Sequence, residues 1–247
     1  MEALDATAIA VPGVQVRVVR ECTSTNSVLL EERGATRLLA AEAQTEGRGR
    51  RGRRWLGAAG RAILFSLARN VSRSPRELAS LSLVAGVATA RALHGLGARR
   101  VALKWPNDLV AGEAKLGGIL VETRSPAYAV FGIGINYLPD PALASRVRRP
   151  LASLAGQVGV LPSRNEVIAA VARSLMDALD AFEARGFEAL RREWLALDAY
   201  AGRRLRVRLA DGRSITGVAA GLADGGELQI RTRGGLRAVR SGTVRLA

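Results

Sequence analysis

The 247-residue chain carries 37 Lys plus Arg against 22 Asp plus Glu, a formal charge of +15, with one cysteine (Cys22) and one histidine (His94). That composition excludes a disulfide framework, zinc sites of the usual Cys/His kinds and any Ser-His-Asp triad not built on His94. Only Lys104 and Lys115 are lysine, leaving 35 arginines, an excess that fits either a nucleic-acid partner or a compositional bias without function.

A hydrophobic fraction of 48% suffices for one sizeable core. No stretch reaches the ~18 uninterrupted apolar residues of a membrane span, and Glu2 and Asp5 stand where a secretory signal would be basic. The expectation is a soluble, cytoplasmic protein with no membrane partner.

Residues before Val14 show no strong pattern. Val14 to Val18 alternates like a half-buried strand and leads into Thr23-Ser24-Thr25-Asn26, residues able to cap a helix that stops at Gly34. A strand over 38–43 enters the loop 46–55, and 62–67 reads as the strand after it. Ser74-Pro75-Arg76-Glu77 predicts a capped helix running to Gly95 or Gly97. Strands follow at 101–105, 109–110, 116–122 and 127–137. After a Pro-marked connection over 139–162, the box Ser163 to Glu166 opens a helix to about Arg185, followed by a shorter one over 187–197. From Gly202 four short strands (205–209, 215–219, 228–232 and 236–240), separated by Asp-Gly and Gly-Gly turns, predict a small barrel. The expected architecture is α+β: a mixed, mostly antiparallel sheet with flanking helices over 1–200, then the barrel over 201–247.

Four segments could carry chemistry. Gly47-Arg48-Gly49-Arg50-Arg51-Gly52-Arg53-Arg54-Trp55 satisfies the literal G-x-G-x-x-G string, but no helix opens after Gly52 and no acid follows at the offset a dinucleotide site needs. Its five arginines predict instead a flexible loop that closes over phosphate or carboxylate, with Trp55 as a flat surface for a base. Lys104-Trp105-Pro106-Asn107-Asp108 is a turn that presents oxygens fit for Mg²⁺ beside phosphates. Lys115 opens the strand with Gly117-Gly118, and Gly132-Ile133-Gly134-Ile135-Asn136 leaves one strand face bare, either for a flat ligand or for close sheet packing. Arginine cannot replace lysine where a compact ammonium must sit between converging oxygens, so the two retained lysines draw notice.

In this order the segments resemble the biotin protein ligases: Ser24-Thr25-Asn26, Gln44, the Gly-Arg loop with Trp55, Lys104 to Asp108, Lys115 with Gly117 to Leu120, and Gly134-Ile135-Asn136. The resemblance implies a catalytic domain followed by an SH3-like barrel. With about 22 residues before the first motif, it implies the form without an N-terminal helix-turn-helix repressor domain. It implies two half-reactions: biotin and Mg·ATP give biotinyl-5′-adenylate, and a lysine of the biotin carboxyl carrier protein of a carboxylase then takes the biotin. It further implies that Ser24, Thr25, Asn26, Gln44, Gly49, Gly118 and Gly134 bind biotin; that Arg48, Arg50 and Lys115 serve its carboxylate and the catalysis; that Arg50, Arg51, Arg53, Trp55, Lys104, Asn107, Asp108 and Asn136 bind ATP; and that Asp108 meets the metal. Thr45-Glu46 departs from the pattern by placing an acid directly before the loop. A homodimer fits this reading and specific DNA binding is not expected. The rivals are a lipoate-type ligase and an arginine-rich nucleic-acid module, the latter weakened by an aromatic content of only 4%.

Overall fold

A computed structural model describes residues 2–32, 34–124, 127–147 and 149–247. Strand β1 (Gln15–Cys22) and strand β2 (Arg37–Gln44) pair in parallel, which requires a crossover. Helix α1 (Thr25–Glu31) provides it, capped by the Ser24 side chain. Strands β3 (Ala62–Asn70), β4 (Val101–Lys104), β5 (Asp108–Ala111), β6 (Ala114–Arg124) and β7 (Tyr128–Asn136) complete a seven-stranded sheet. Its order is β1-β2-β3-β7-β6-β5-β4, antiparallel at every pairing except β1 with β2. The mixed, mostly antiparallel sheet expected from the sequence is present.

One sheet face is covered by helix α2 (Leu81–Gly95) and by the capped 22-residue helix α4 (Arg164–Arg185). Leu81, Val84, Val87, Phe65 and Phe131 are buried there, and each such side chain contributes about 1.5–3 kcal/mol by leaving water. The opposite face holds α1 over a smaller cluster of Leu29, Leu39, Ala68, Tyr128 and Val130. The segment Glu77–Gly95 is long and apolar enough to cross a membrane by composition, yet two-thirds of it is buried in this core.

Local differences from the sequence reading have local causes. Glu77 accepts from both the amide and the hydroxyl of Ser74. The amides of Glu77 and Leu78 donate to Ser74 O and not to its hydroxyl, the chain tightens into a 3₁₀ turn at Glu77–Ser80, and the α-helix begins only at Leu81. The connection 139–162 contains a short helix, α3 (Pro141–Arg146). The N-terminal segment is pinned: Arg164 and Asn165 bond Glu2 and Ala3, and Ile9 is fully buried.

Helix α5 (Glu188–Ala196) leads into a second, antiparallel sheet of five strands: β8 (Arg204–Arg208), β9 (Ser214–Leu222), β10 (Leu228–Thr232), β11 (Gly235–Val239) and β12 (Thr243–Leu246). β12 is one strand more than the sequence reading placed. The entering chain bonds the edge of β4, Leu103 N to Leu197 O and Ala199 N to Leu103 O. The indole of Trp105 donates to Gly226 O of the small sheet at 3.0 Å.

Candidate active site

The segments singled out in the sequence converge on one cavity, lined by β6, β7, the N-terminus of α1, the Gly-Arg segment and β12. One end is neutral. Ser24, Thr25, Asn26 and Ser66 are buried, and each has a partner. Gln44 Oε1 accepts from Thr25 N and Oγ1 at 2.7 and 3.1 Å. The Ser66 hydroxyl lies 2.7 Å from Thr25 Oγ1 and 2.6 Å from Asn26 Oδ1. Asn26 Nδ2 donates to Glu122 Oε2 at 2.9 Å and Leu120 O at 3.2 Å. A Cβ at Gly132 would collide with the Asn26 carboxamide, so the bare glycine is what admits that side chain.

The Gly-Arg segment is a formed hairpin. Trp55 N bonds Gly47 O at 2.8 Å, Gly49 N bonds Arg53 O at 2.7 Å, and a tight turn with positive φ at Arg51 and Gly52 makes the tip. Charge repulsion among its arginines predicts a mobile loop; the structure gives most of them partners instead. Arg48 pairs with Glu122 at 2.6 Å and reaches Ser27 Oγ at 3.2 Å. Arg50 donates to Asn107 Oδ1 at 3.4 Å, and Arg54 to Thr45 O at 2.7 Å. Arg51 turns to the barrel, 2.9 Å from Ser241 Oγ and 3.3 Å from Thr243 Oγ1. Arg53 lines the cavity. Glu46 is exposed, with its amide bonded to Thr23 O, so the acid before the hairpin does not disturb its base.

The other end is cationic. Lys104 and Asp108 face each other across the β4–β5 turn, and Lys115 Nζ forms an ion pair with Asp108 Oδ1. Lys115 also lies 5.4 Å from the Trp55 ring centroid, within cation–π range. Burial holds the Lys115 ammonium below the ordinary lysine value; Asp108 opposes the shift, and Arg149 and Lys104 add to it. Lys104 is lowered by burial in the same way, against Asp108. Burial and Arg51 lower Arg50. Across the whole lining, six arginines and two lysines face a single carboxylate, Asp108. Such a site lacks counter-charge and favours anions.

The bare strip at Gly118 and Gly134 has an occupant from the chain itself. A Cβ at Gly118 would meet the Trp55 ring at 3.1 Å, and one at Gly134 would collide with the indole. Trp55 Nε1 is buried without a hydrogen-bond partner, an orphan donor inside the cavity. The free volume is about 140 Å³, below the ~300 Å³ at which small-ligand pockets begin. A ligand lying on this strip requires the indole to shift.

Asn136 is placed differently from its expected role at ATP. It does not line the cavity; its Nδ2 donates to Lys115 O and Ala152 O at 3.1 and 3.0 Å, which fixes the strand carrying Lys115. Arg149, Glu122, Ser66 and Thr243 belong to the site or support it, and sequence reasoning missed them. His94 lies on α2 with Nε2 2.7 Å from Val101 O. Among the described residues no group of three acids, histidines or cysteines could hold a metal ion.

Residues 17–136 match the Biotin/lipoate A/B protein ligase family and residues 200–246 the Biotin protein ligase C terminal domain. The bifunctional ligase/repressor BirA of Escherichia coli is 34% identical over 241 residues, 95% of this chain and 74% of that protein. The chain belongs to the biotin protein ligase family. Within that family, the biotin–[acetyl-CoA-carboxylase] ligase of Mycobacterium tuberculosis is 32% identical over 93% of this chain and 88% of its own length. A biotin protein ligase from Aquifex aeolicus, solved in complex with biotin and ATP, matches at 30% identity with a TM-score of 0.83, covering 94% of this chain and 99% of that one.

Proposed function

We propose that the chain is an ATP-dependent biotin protein ligase: it forms biotinyl-5′-adenylate and transfers biotin to a lysine of the carrier domain of a biotin-dependent carboxylase. The observation that carries the reading is the position of Lys115, at the junction between a neutral, hydrogen-bonded end and a cationic end with one carboxylate. The reaction brings together an uncharged polar head group, a carboxylate and a triphosphate, and the two ends divide those demands.

Ser24, Thr25, Asn26 and Gln44 receive the head group, above Gly118 and Gly134 and beneath Gly49. Arg50 and Lys115 take the biotin carboxylate and the α-phosphate. A carboxylate oxygen attacks the α-phosphorus, the bond to the α,β-bridging oxygen breaks, and pyrophosphate leaves. Donors fixed before the reaction stabilise the charge that develops, the largest single contribution in most such sites. Lys104, Asn107, Arg53 and Arg149 face the nucleotide, and Trp55 moves onto the ligand that displaces it. Arg48, held by Glu122, anchors the hairpin. Asp108, the one carboxylate of the lining, would hold Mg²⁺, which when bound would offset the phosphate charge. In the second step the carrier lysine attacks the activated carbonyl, AMP leaves and the amine loses a proton. No covalent enzyme intermediate is required, in keeping with a cavity whose lining contains neither Cys nor His.

We divide the chain into a catalytic part, 1–200, and a barrel, 201–247, and place the protein in the cytoplasm. The test is pyrophosphate exchange into ATP: biotin should drive it and lipoate should not. Exchange with lipoate alone would replace this reading by the lipoate-type one.

A further inference from the structure

Arg51 occupies the tip of the hairpin and is the only non-glycine among the described residues with a positive φ, +58°. A left-handed backbone is unfavourable for arginine, although Gly52 stands next to it. Gly52 follows at φ +70°, and positive φ at both central residues is what a tight two-residue hairpin turn requires; among the described residues, the Arg51 side chain hydrogen-bonds only Ser241 Oγ and Thr243 Oγ1, both outside the hairpin. The two acceptors sit on a stiff support. A Cβ at Gly242 between them would meet Val207 Cγ1 at 2.5 Å, and Thr243 is in register with Arg208 in the β12–β8 ladder. The barrel is itself fixed to the site from another side by Trp105, whose indole bonds Gly226 O immediately before the Pro106-Asn107-Asp108 turn. Gly242, Thr243 and Val244 line the cavity.

We propose that Arg51 is a positioning residue and not a ligand of the nucleotide: with Ser241 and Thr243 it latches the hairpin to the barrel, so that the barrel holds Arg50 and Trp55 closed over the adenylate. The latch uses neutral hydroxyls, whose hydrogen bonds are modest and exchange readily with water. It can therefore open for substrate entry and for the carrier lysine, which an Arg–carboxylate pair at this place would resist. The proposal rests on the ligase reading for its consequence, and on hydrogen bonding alone for the closure.

The test compares the full-length protein with Ser241→Ala/Thr243→Val, which removes the acceptors without touching the hairpin, and with Arg51→Ala. Proteolytic cleavage within 47–55 should rise about tenfold in both variants, the scale of one net hydrogen bond of a charged donor. With biotin and ATP, the fraction of biotinyl-adenylate released free instead of transferred should rise in parallel, while the KM for ATP stays within about twofold. Unchanged cleavage and retention in the double variant would overturn the latch. So would an ATP KM raised in Arg51→Ala and unaltered in the double variant, which would make Arg51 a substrate ligand. If the double variant fails to fold, Arg51→Gln breaks the same contacts from the hairpin side. The cleavage comparison needs no substrate, so it stands even if the exchange assay refutes a biotin ligase.

Discussion

The two ends of the cavity are built on opposite terms. At the neutral end Thr25, Asn26, Ser66 and Gln44 satisfy one another, and Asn26 is tied through Glu122 to Arg48. At the cationic end Arg50, Lys104, Lys115 and Arg149 have one carboxylate, Asp108, to share, and burial lowers the pKa of Arg50, Lys104 and Lys115. A closed network fixes donor and acceptor positions and so selects a head group by geometry. An under-neutralised cluster is unfavourable until anions arrive, and its interaction with them grows as charge moves in the reaction. Recognition and rate acceleration are thereby assigned to different residues, with Lys115 between them.

Substitutions can break that division one end at a time. The largest loss is expected for Lys115→Arg: biotin-dependent pyrophosphate exchange should fall about 100-fold, the scale of losing one preorganised transition-state donor. Near-normal turnover would assign Lys115 to packing. Next is Asn26→Asp, which removes the donor to Glu122 and sets two carboxylates together in a buried place. At a cost of about 2 kcal/mol for the buried mismatch it should raise the KM for biotin about 30-fold with little change in that for ATP. Equal effects on both substrates would show that the ends are not separate. Arg149→Ala should do the reverse, raising the KM for ATP about tenfold through loss of a charge-assisted contact. An altered KM for biotin alone would place Arg149 elsewhere.

The two ends were also unequally legible in the sequence. Short-range chemistry was readable: the box at Ser163 and Glu166 caps α4, Ser24 caps α1, and the turn at Pro106 brings Lys104 opposite Asp108. Alternate glycines signalled a bare strip on β7. They could not say that the chain fills it with Asn26 and Trp55, because that depends on contacts across scores of residues. The partners of the arginines were hidden for the same reason: Glu122 lies 74 residues from Arg48, and Ser241 lies 190 from Arg51. Identical side chains on one hairpin thus take unlike roles that no local pattern distinguishes. Arg149 sits in a Pro-marked connection beside two more arginines and carries no mark of its own. The strand 243–246 had a readable alternation, Thr-Val-Arg-Leu after Ser-Gly, that four residues make easy to pass over.

The finest test of the division is its pH dependence. Burial lowers the pKa of Lys115 below its ordinary value of 10.5, Asp108 only partly opposing it. Between the folded and unfolded values the unfolded chain binds more protons, so this group's destabilising effect on the unliganded fold is fully present below the folded pKa and is relieved as pH rises through it. Activity should move the other way, because adenylation needs the ammonium. Bound carboxylate and phosphate add opposite charge and raise the Lys115 pKa again. The alkaline limb of kcat/KM, which reports the free enzyme, should therefore lie at lower pH than the limb of kcat, which reports the complex. In Lys115→Arg the remaining activity should lose this limb, since arginine does not titrate there. Lys104 is the control, being lowered by burial as well. A limb that persists in Lys115→Arg and disappears in Lys104→Arg would make Lys104 the titrating group, and the junction between the two ends would then belong to the β4–β5 turn instead of β6.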